Sequence, residues 1–380
     1  MHYLVCDLNI QKKGHYIGYN QYILNTIAKL EEEHPDKHYS FLYNSEAKEY
    51  LDFPEYTSGR IHFLNDNCWS NTSMRDKIVL FKKVIASANQ LKTDHLIFMD
   101  LDQYQFPIFI SSFSFKLSGI LFRPHHRITF SNNSLSSRVS SRIQRLKKIL
   151  AEKLLTTKKE IEHIYILNDE QGVQHLNRFH KTTQFTYLKD PIFSYPSSLQ
   201  TAKDNKIIKF LIFGAINERK NITAILKAYD TAHFTDETEL LIVGSSDKSY
   251  LVYLNNLIQS LTTINNRKRI TLKADFVSNE EMDNYFHQSD VCLLIYKDFY
   301  GSSGLLGRAA LHKRKVIGAN VGLLKELIEQ NTLGITCDPN SVEDISKSLT
   351  AIVHLQLEDK NFESFYQQYS PETFIRTLLQ

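Results

Sequence analysis

Residues 290–328 read DVCLLIYKDFYGSSGLLGRAALHKRKVIGANVGLLKELI. The apolar run Val291, Cys292, Leu293, Leu294, Ile295 is too short to span a membrane and reads as a buried parallel strand. Polar residues follow, then Gly301, Ser302, Ser303 and Gly304, the helix-forming LLGRAALHK, and a second apolar strand at Val316 and Ile317 closed by Gly318. Strand, glycine-serine turn, helix and strand together put free backbone N–H groups at a helix start. There the helix dipole favours an anion such as a phosphate, and glycine removes side chains that would hold a ligand away. Gly and Ser are also ordinary turn and cap residues, so this stretch alone leaves both readings open.

Upstream, IIKFLIFGAINERKNITAILKAYD (207–230) repeats the design. A strand over Ile207–Phe213 ends at Gly214, and Arg219 and Lys220 stand ahead of a helix carrying Ile225, Leu226 and Tyr229. Glycine permits close approach and paired cations neutralise phosphate oxygens; a solvated Arg-Lys pair is the plainer reading. ELLIVGSS, a helix through Leu254 and a strand at Ile270–Leu272 continue the alternation. Ser278 and Glu281 form a capping box, and Ser341 caps a later helix.

The first half shows the same alternation. A strand from His2 leads through Gly14, His15 and Gly18 into an amphipathic helix with Ile23, Ile27 and Leu30 on one side. No G-x-G-x-x-G occurs, so a dinucleotide oxidoreductase is unsupported. His15 reads as a solvated loop residue or as a hydrogen-bonding group where ligands sit, outside the carboxyl ends of strands. The strand His95–Met99 ends at Asp100 and Asp102, carboxylates suited to a sugar hydroxyl or to a helix cap. Ile120–Phe122 reads as a strand before Arg123, Pro124, His125 and His126. Arg123 is a partner for a charged acceptor or for Asp102, and His125 is a neutral hydrogen-bonding group that titrates near physiological pH. Adjacent histidines lack the i, i+4 spacing of a zinc pair. From residue 138 to 159 the chain is strongly basic, with a stripe of Val139, Ile143, Leu146, Leu150 and Leu154. Such a helix lies on an anionic membrane or packs its stripe on a sheet and leaves the cations in solvent.

At 380 residues the chain exceeds one core, so two domains are expected. The boundaries read as 1–195, a polar linker 196–206, a second domain 207–355, and a terminal helical segment 356–380 with Pro371 at a helix start. A net charge of +3 gives no reason to expect nucleic-acid binding. Four scattered cysteines without CxxC spacing argue against zinc or a disulfide framework and fit a reducing cytoplasm. MHYLVCDLNIQ has no signal-peptide pattern, and no run of about 18 apolar residues occurs.

These segments resemble the retaining GT-B glycosyltransferases of family 4, and the resemblance covers essentially the whole chain. FGAINERKN is similar to that family's diphosphate loop, with Gly214 and Lys220 in the matching positions. FVSNEEMDNYFHQSDVCLLIY is similar to its nucleotide-side segment, KKGHYIGYNQYIL to its first glycine loop, and SPETFIRTLL to its closing helix, which in that fold packs back on the N-terminal domain. One departure is central. The family places one glutamate at the start of the donor loop and a second eight positions later, and this chain has Tyr300 and Arg308 there.

The resemblance implies an α/β chain with the GT-B fold, two Rossmann-like α/β domains facing each other across a cleft. It implies transfer of a hexosyl group from a nucleotide diphosphate sugar to a saccharide or lipid-linked hydroxyl, with retention. Lys220 and Arg219 would stabilise the leaving diphosphate, with His15 and Asp102 also at the reaction centre. Gly214, Ser302, Ser303, Gly304, Arg308 and Tyr300 would hold the donor, and Gly14, His15, Arg123 and His125 would line the acceptor side. Neither metal nor other cofactor is expected, because the protein's cations can neutralise the phosphates. The expected location is the cytoplasm, peripheral at the inner face of the membrane through 138–159. A sugar-nucleotide 2-epimerase and a non-catalytic binding protein are the rivals.

Overall fold

The computed structural model describes residues 1–11, 16–65, 73–127, 135–194, 207–261, 267–275, 277–299 and 301–379. They form two compact units, Met1–Pro191 with Pro371–Gln380, and Ile192–Ser370. The expected linker at 196–206 lies outside the described residues.

In the first unit the strands are β1 (His2–Asp7), β2 (His38–Asn44), β3 (Ile61–Leu64), β4 (His95–Phe98), β5 (Lys116–Ile120), β6 (Ile161–Leu167) and β7 (Phe185–Leu188). They form one parallel sheet in the order β3-β2-β1-β4-β5-β6-β7. Its helices are α1 (Tyr16–Glu33), α2 (Ala47–Tyr50), α3 (Met74–Gln90), α4 (Gln105–Ile110), α5 (Leu135–Thr156) and α6 (Glu170–His180). All four residues of β4 are buried, as expected for a strand covered on both faces. The strand expected at Ile120–Phe122 runs instead over Lys116–Ile120. Gly119 lies within it at a close approach to β4, where a Cβ would meet the Phe98 carbonyl oxygen at 2.6 Å. The apolar Leu121 continues beyond the strand and is buried there, so its hydrophobicity reports burial and not strand.

The second unit's strands are β8 (Ile207–Phe213), β9 (Glu237–Val243), β10 (Lys268–Lys273), β11 (Val291–Leu294), β12 (Lys315–Ala319) and β13 (Gly334–Cys337). They too are all parallel, in the order β10-β9-β8-β11-β12-β13. Its helices are α7 (Ile222–Thr231), α8 (Lys248–Gln259), α9 (Asn279–Gln288), α10 (Gly304–Leu311), α11 (Gly322–Gln330), α12 (Val342–His354) and α13 (Asp359–Gln368). The expected capping box at Ser278–Glu281 and the cap at Ser341 both form. The last helix, α14 (Pro371–Leu378), begins at its proline and belongs to the first unit. There Tyr165 donates to the Thr377 carbonyl at 3.0 Å, and Phe374 packs on Tyr19.

In each sheet the chain order reverses beside the first strand, between β1 and β4 and between β8 and β11. Such reversals leave crevices at the carboxyl ends of the strands, where ligands of open α/β sheets bind.

Each unit is also fastened by a buried carboxylate. In the first, Glu152 of α5 accepts from the His125 backbone N–H at 2.7 Å, and its Oε2 lies 2.5 Å from His125 Nδ1 and 3.0 Å from His180 Nε2. All three side chains are buried. Burial alone would raise the Glu152 pKa; the bonds from His125 and His180 outweigh it and leave the carboxyl below its ordinary value. The stability from this site is complete above the ordinary carboxylate range and is lost as pH falls through the depressed value. In the second unit, Arg308 of α10 donates to Asp283 of α9 at 2.6 Å, and both side chains are buried.

Glu152→Gln should cost about 2–3 kcal/mol at neutral pH and make urea unfolding less sensitive to acid below about pH 4; equal acid sensitivity in both proteins contradicts this role. Asp283→Ala strands a buried guanidinium and should cost about 3 kcal/mol or more, read as a lowered midpoint in thermal unfolding.

Candidate functional site

At the β8/β11 reversal, β8 ends at Gly214, whose φ of +95° is strained for residues with a side chain. A Cβ there would lie 3.5 Å from Lys220 Nζ, so glycine keeps space beside that ammonium. The loop then enters a short 3-10 helix at Glu218–Lys220. Lys220 is 5% exposed. Its Nζ donates to the Phe213 carbonyl at 2.6 Å and to the Tyr296 hydroxyl at 3.2 Å, and it stands 4.6 Å from the Tyr296 ring centroid. Among the described residues no carboxylate forms an ion pair with it. An ammonium has three donors, and two are placed. The third is left for a ligand, and a buried cation without a counter-ion favours an anionic one.

The sequence reading overlooked Tyr296, which joins this loop to the glycine-serine turn. Its hydroxyl lies 3.2 Å from Lys220 Nζ and 3.3 Å from Ser303 Oγ. The Lys297 N–H donates to the Arg219 carbonyl at 2.9 Å, and the Arg219 guanidinium lies over Phe299 and Tyr296 at 5.2 and 5.7 Å. Lys220, Arg219, Gly214 and Ser303 are therefore brought together. Ser303 is the N-cap residue of α10, held at φ +60°, and its side chain caps none of the helix amides. Ser302 beside it is buried, and Gly304 starts the helix with open space where a Cβ would be. Arg308 points elsewhere, into its ion pair with Asp283. Tyr300 lies outside the described residues.

At the β1/β4 reversal a second polar group assembles. Asp7 accepts from the Asn9 N–H at 2.9 Å and from Asn20 Nδ2 at 2.6 Å. Asp100 accepts from Asn9 Nδ2 at 3.2 Å, the Tyr16 hydroxyl at 3.4 Å and the Asp102 N–H at 2.8 Å. Burial pushes Asp7 up to about 7 despite its hydrogen bonds. Asp100 is raised by burial and then by the neighbouring Asp102. Two carboxyls that hold protons well above their ordinary range can donate as well as accept near neutral pH.

Asp102 itself is held on both oxygens, by Lys148 Nζ at 3.0 Å and by the Phe122 N–H at 2.8 Å. Its cation is thus Lys148 of α5. Arg123 is exposed, and it is its carbonyl that Lys148 Nζ meets, at 2.5 Å. His125 is enclosed in the Glu152 cluster and is fully buried. Gly14 and His15 lie outside the described residues.

His125, Glu152 and His180 converge within 4.8 Å and have the donor atoms of a metal site. Ligand atoms about 2.0–2.1 Å from a tetrahedral zinc lie over 3 Å apart. The 2.5 and 3.0 Å separations from Glu152 are those of hydrogen bonds that share protons.

No curated protein matches the chain by sequence. Among solved structures it is similar to a sucrose-phosphate synthase from Thermosynechococcus elongatus, with 15% identity, 100% of this chain and 97% of the other covered, and a TM-score of 0.71. Anabaena HepE in complex with UDP has 13% identity, 100% and 98% coverage and a TM-score of 0.62. WaaG, a glycosyltransferase involved in lipopolysaccharide biosynthesis, has 12% identity, 99% coverage of both chains and a TM-score of 0.63. The chain therefore has the two-domain α/β fold of the GT-B glycosyltransferases, and its residues 197–368 match the model of the family described as glycosyl transferases group 1.

Proposed function

We propose that the protein transfers a hexosyl group from a nucleotide diphosphate sugar to the hydroxyl of a saccharide or lipid-linked acceptor, with retention. The observation that carries this is Lys220: a nearly buried ammonium with one donor left over, joined through Tyr296 to the start of α10. The family match over 197–368 and the UDP held by HepE support a nucleotide donor. Retention rests on the resemblance to family 4.

In the reaction the bond from the sugar's anomeric carbon to the diphosphate oxygen breaks, the bond from that carbon to the acceptor oxygen forms, and the acceptor hydroxyl's proton passes to the ionised form of Asp100. Negative charge collects on the leaving diphosphate. Lys220 stabilises it from one side, and the amides at the start of α10 stabilise it from another, through fixed dipoles. Arg219 adds a cation beside the two aromatic rings it covers. The cations supply the neutralisation that a metal provides in other phosphoryl sites, so the reading uses no metal. Arg308 serves this site indirectly, by fixing α10 to α9. On the acceptor side, Asp100 with Asn9 and Tyr16 offers hydrogen bonds to a sugar hydroxyl; this replaces Asp102 as the group proposed to meet it.

Epimerisation at sugar carbon 2 and non-catalytic binding remain distinguishable rivals. Free nucleoside diphosphate together with glycosylated acceptor marks transfer, an isomeric nucleotide sugar marks an epimerase, and neither product marks a binding protein. In calorimetry across nucleoside diphosphates, Lys220→Ala should weaken binding about ten- to a hundredfold; unchanged affinity contradicts the phosphate seat. Asp100→Asn should lower turnover at least about tenfold through lost acid–base and hydrogen-bonding capacity, with nucleoside diphosphate affinity unchanged. Equal turnover removes Asp100 from the acceptor side.

A further inference from the structure

Helix α5 buries polar groups beside an apolar one: Glu152 is buried against His125 and His180, Lys148 reaches Asp102, and Leu155 enters the core. Its aliphatic stripe faces out, with Val139 55% exposed, Ile143 48%, Leu146 64% and Leu150 60%. At about 100° per residue these four lie within an arc of about 60°. The stripe therefore does not pack on the sheet.

The charge around the stripe selects its partner. Within Leu135–Thr156 six Lys and Arg residues stand against one carboxylate, Glu152, and leave +5 in a chain whose total is +3. The helix therefore carries more positive charge than the protein as a whole. Arg142 and Lys153 flank the stripe on one side and Lys147 on the other, and all three are exposed. Burying large aliphatic side chains in acyl chains while adjacent cations meet headgroup phosphates satisfies both features at once. A second copy of this chain fits poorly, because it would bring two strongly basic helices together. Four side chains also fall well short of the roughly 20–30 residues a side of a stable interface. Among the described residues no helix is long and apolar enough to cross a membrane, so contact through α5 would be peripheral.

We infer that α5 is a docking face for an anionic phospholipid surface, with Val139, Ile143, Leu146 and Leu150 entering the acyl boundary and Arg142, Lys147 and Lys153 meeting the headgroups. Only this geometry is needed, and glycosyl transfer is not assumed.

The test is cosedimentation of the full chain with vesicles of phosphatidylcholine alone or mixed with phosphatidylglycerol. Binding is expected on the mixed vesicles only and should fall at least about tenfold in about 0.5 M salt, where headgroup attraction is screened. Leu146→Ser/Leu150→Ser and Arg142→Glu/Lys147→Glu should each reduce it about tenfold or more, with circular dichroism and nucleoside diphosphate affinity unchanged. These sites are exposed and lie outside the proposed donor loops. No binding to mixed vesicles, equal binding to both kinds, or variants that bind like the parent overturns the inference. So does a protein dimer that Leu146→Ser/Leu150→Ser dissolves, which would assign the face to a second copy.

Discussion

The second unit depends on one unbalanced charge. A buried ammonium is costly unless its donors are satisfied and its charge is answered. Lys220 receives a carbonyl, a phenol and an aromatic face, but among the described residues no carboxylate pairs with it. The loop geometry follows from holding it there. Gly214 takes a φ that other residues resist and keeps space beside Nζ, and Tyr296 extends the polar chain to Ser303. An incoming diphosphate would supply the missing negative charge. The same feature would then serve binding first and leaving-group stabilisation next.

Several other buried charges are paired. Arg308 is matched by Asp283 and Asp102 by Lys148. Burial would raise Asp169, but bonds from Arg127 and His126 outweigh it and hold its carboxyl well below the ordinary range. Breaking such pairs is expensive, so these residues position helices and loops around the candidate sites. Arg308 illustrates the distinction. Its place eight residues after Tyr300 suggests a ligand-facing cation, while its guanidinium spends a donor fastening α10 to α9.

Much of the fold was legible because parallel strands covered on both faces read as continuous apolar runs. The run from Ile207 to Phe213 coincides with β8, and the serine caps sit where their spacing put them. Lys220 and Gly214 were legible for a related reason: the turn after a strand is local. What stayed hidden depended on partners far along the chain. Asp283 lies 25 positions from Arg308, and Glu152 lies 27 from His125. Periodicity located the stripe on α5, but only those distant partners decide which face turns inward. For Asp100 the sequence left a sugar hydroxyl and a helix cap both open, because its raised pKa comes from burial and from Asp102. For Tyr296, the polar chain from Lys220 to Ser303 exists only once β8 and β11 are paired.

The most direct test of the central claim is a crystal structure soaked with the nucleoside diphosphate that binds most tightly. The account predicts diphosphate oxygens within hydrogen-bonding distance of Lys220 Nζ and of the backbone amides at the start of α10, with Tyr296 still bridging to Ser303. A diphosphate bound away from both, with Lys220 still joined only to Phe213 and Tyr296, would contradict it.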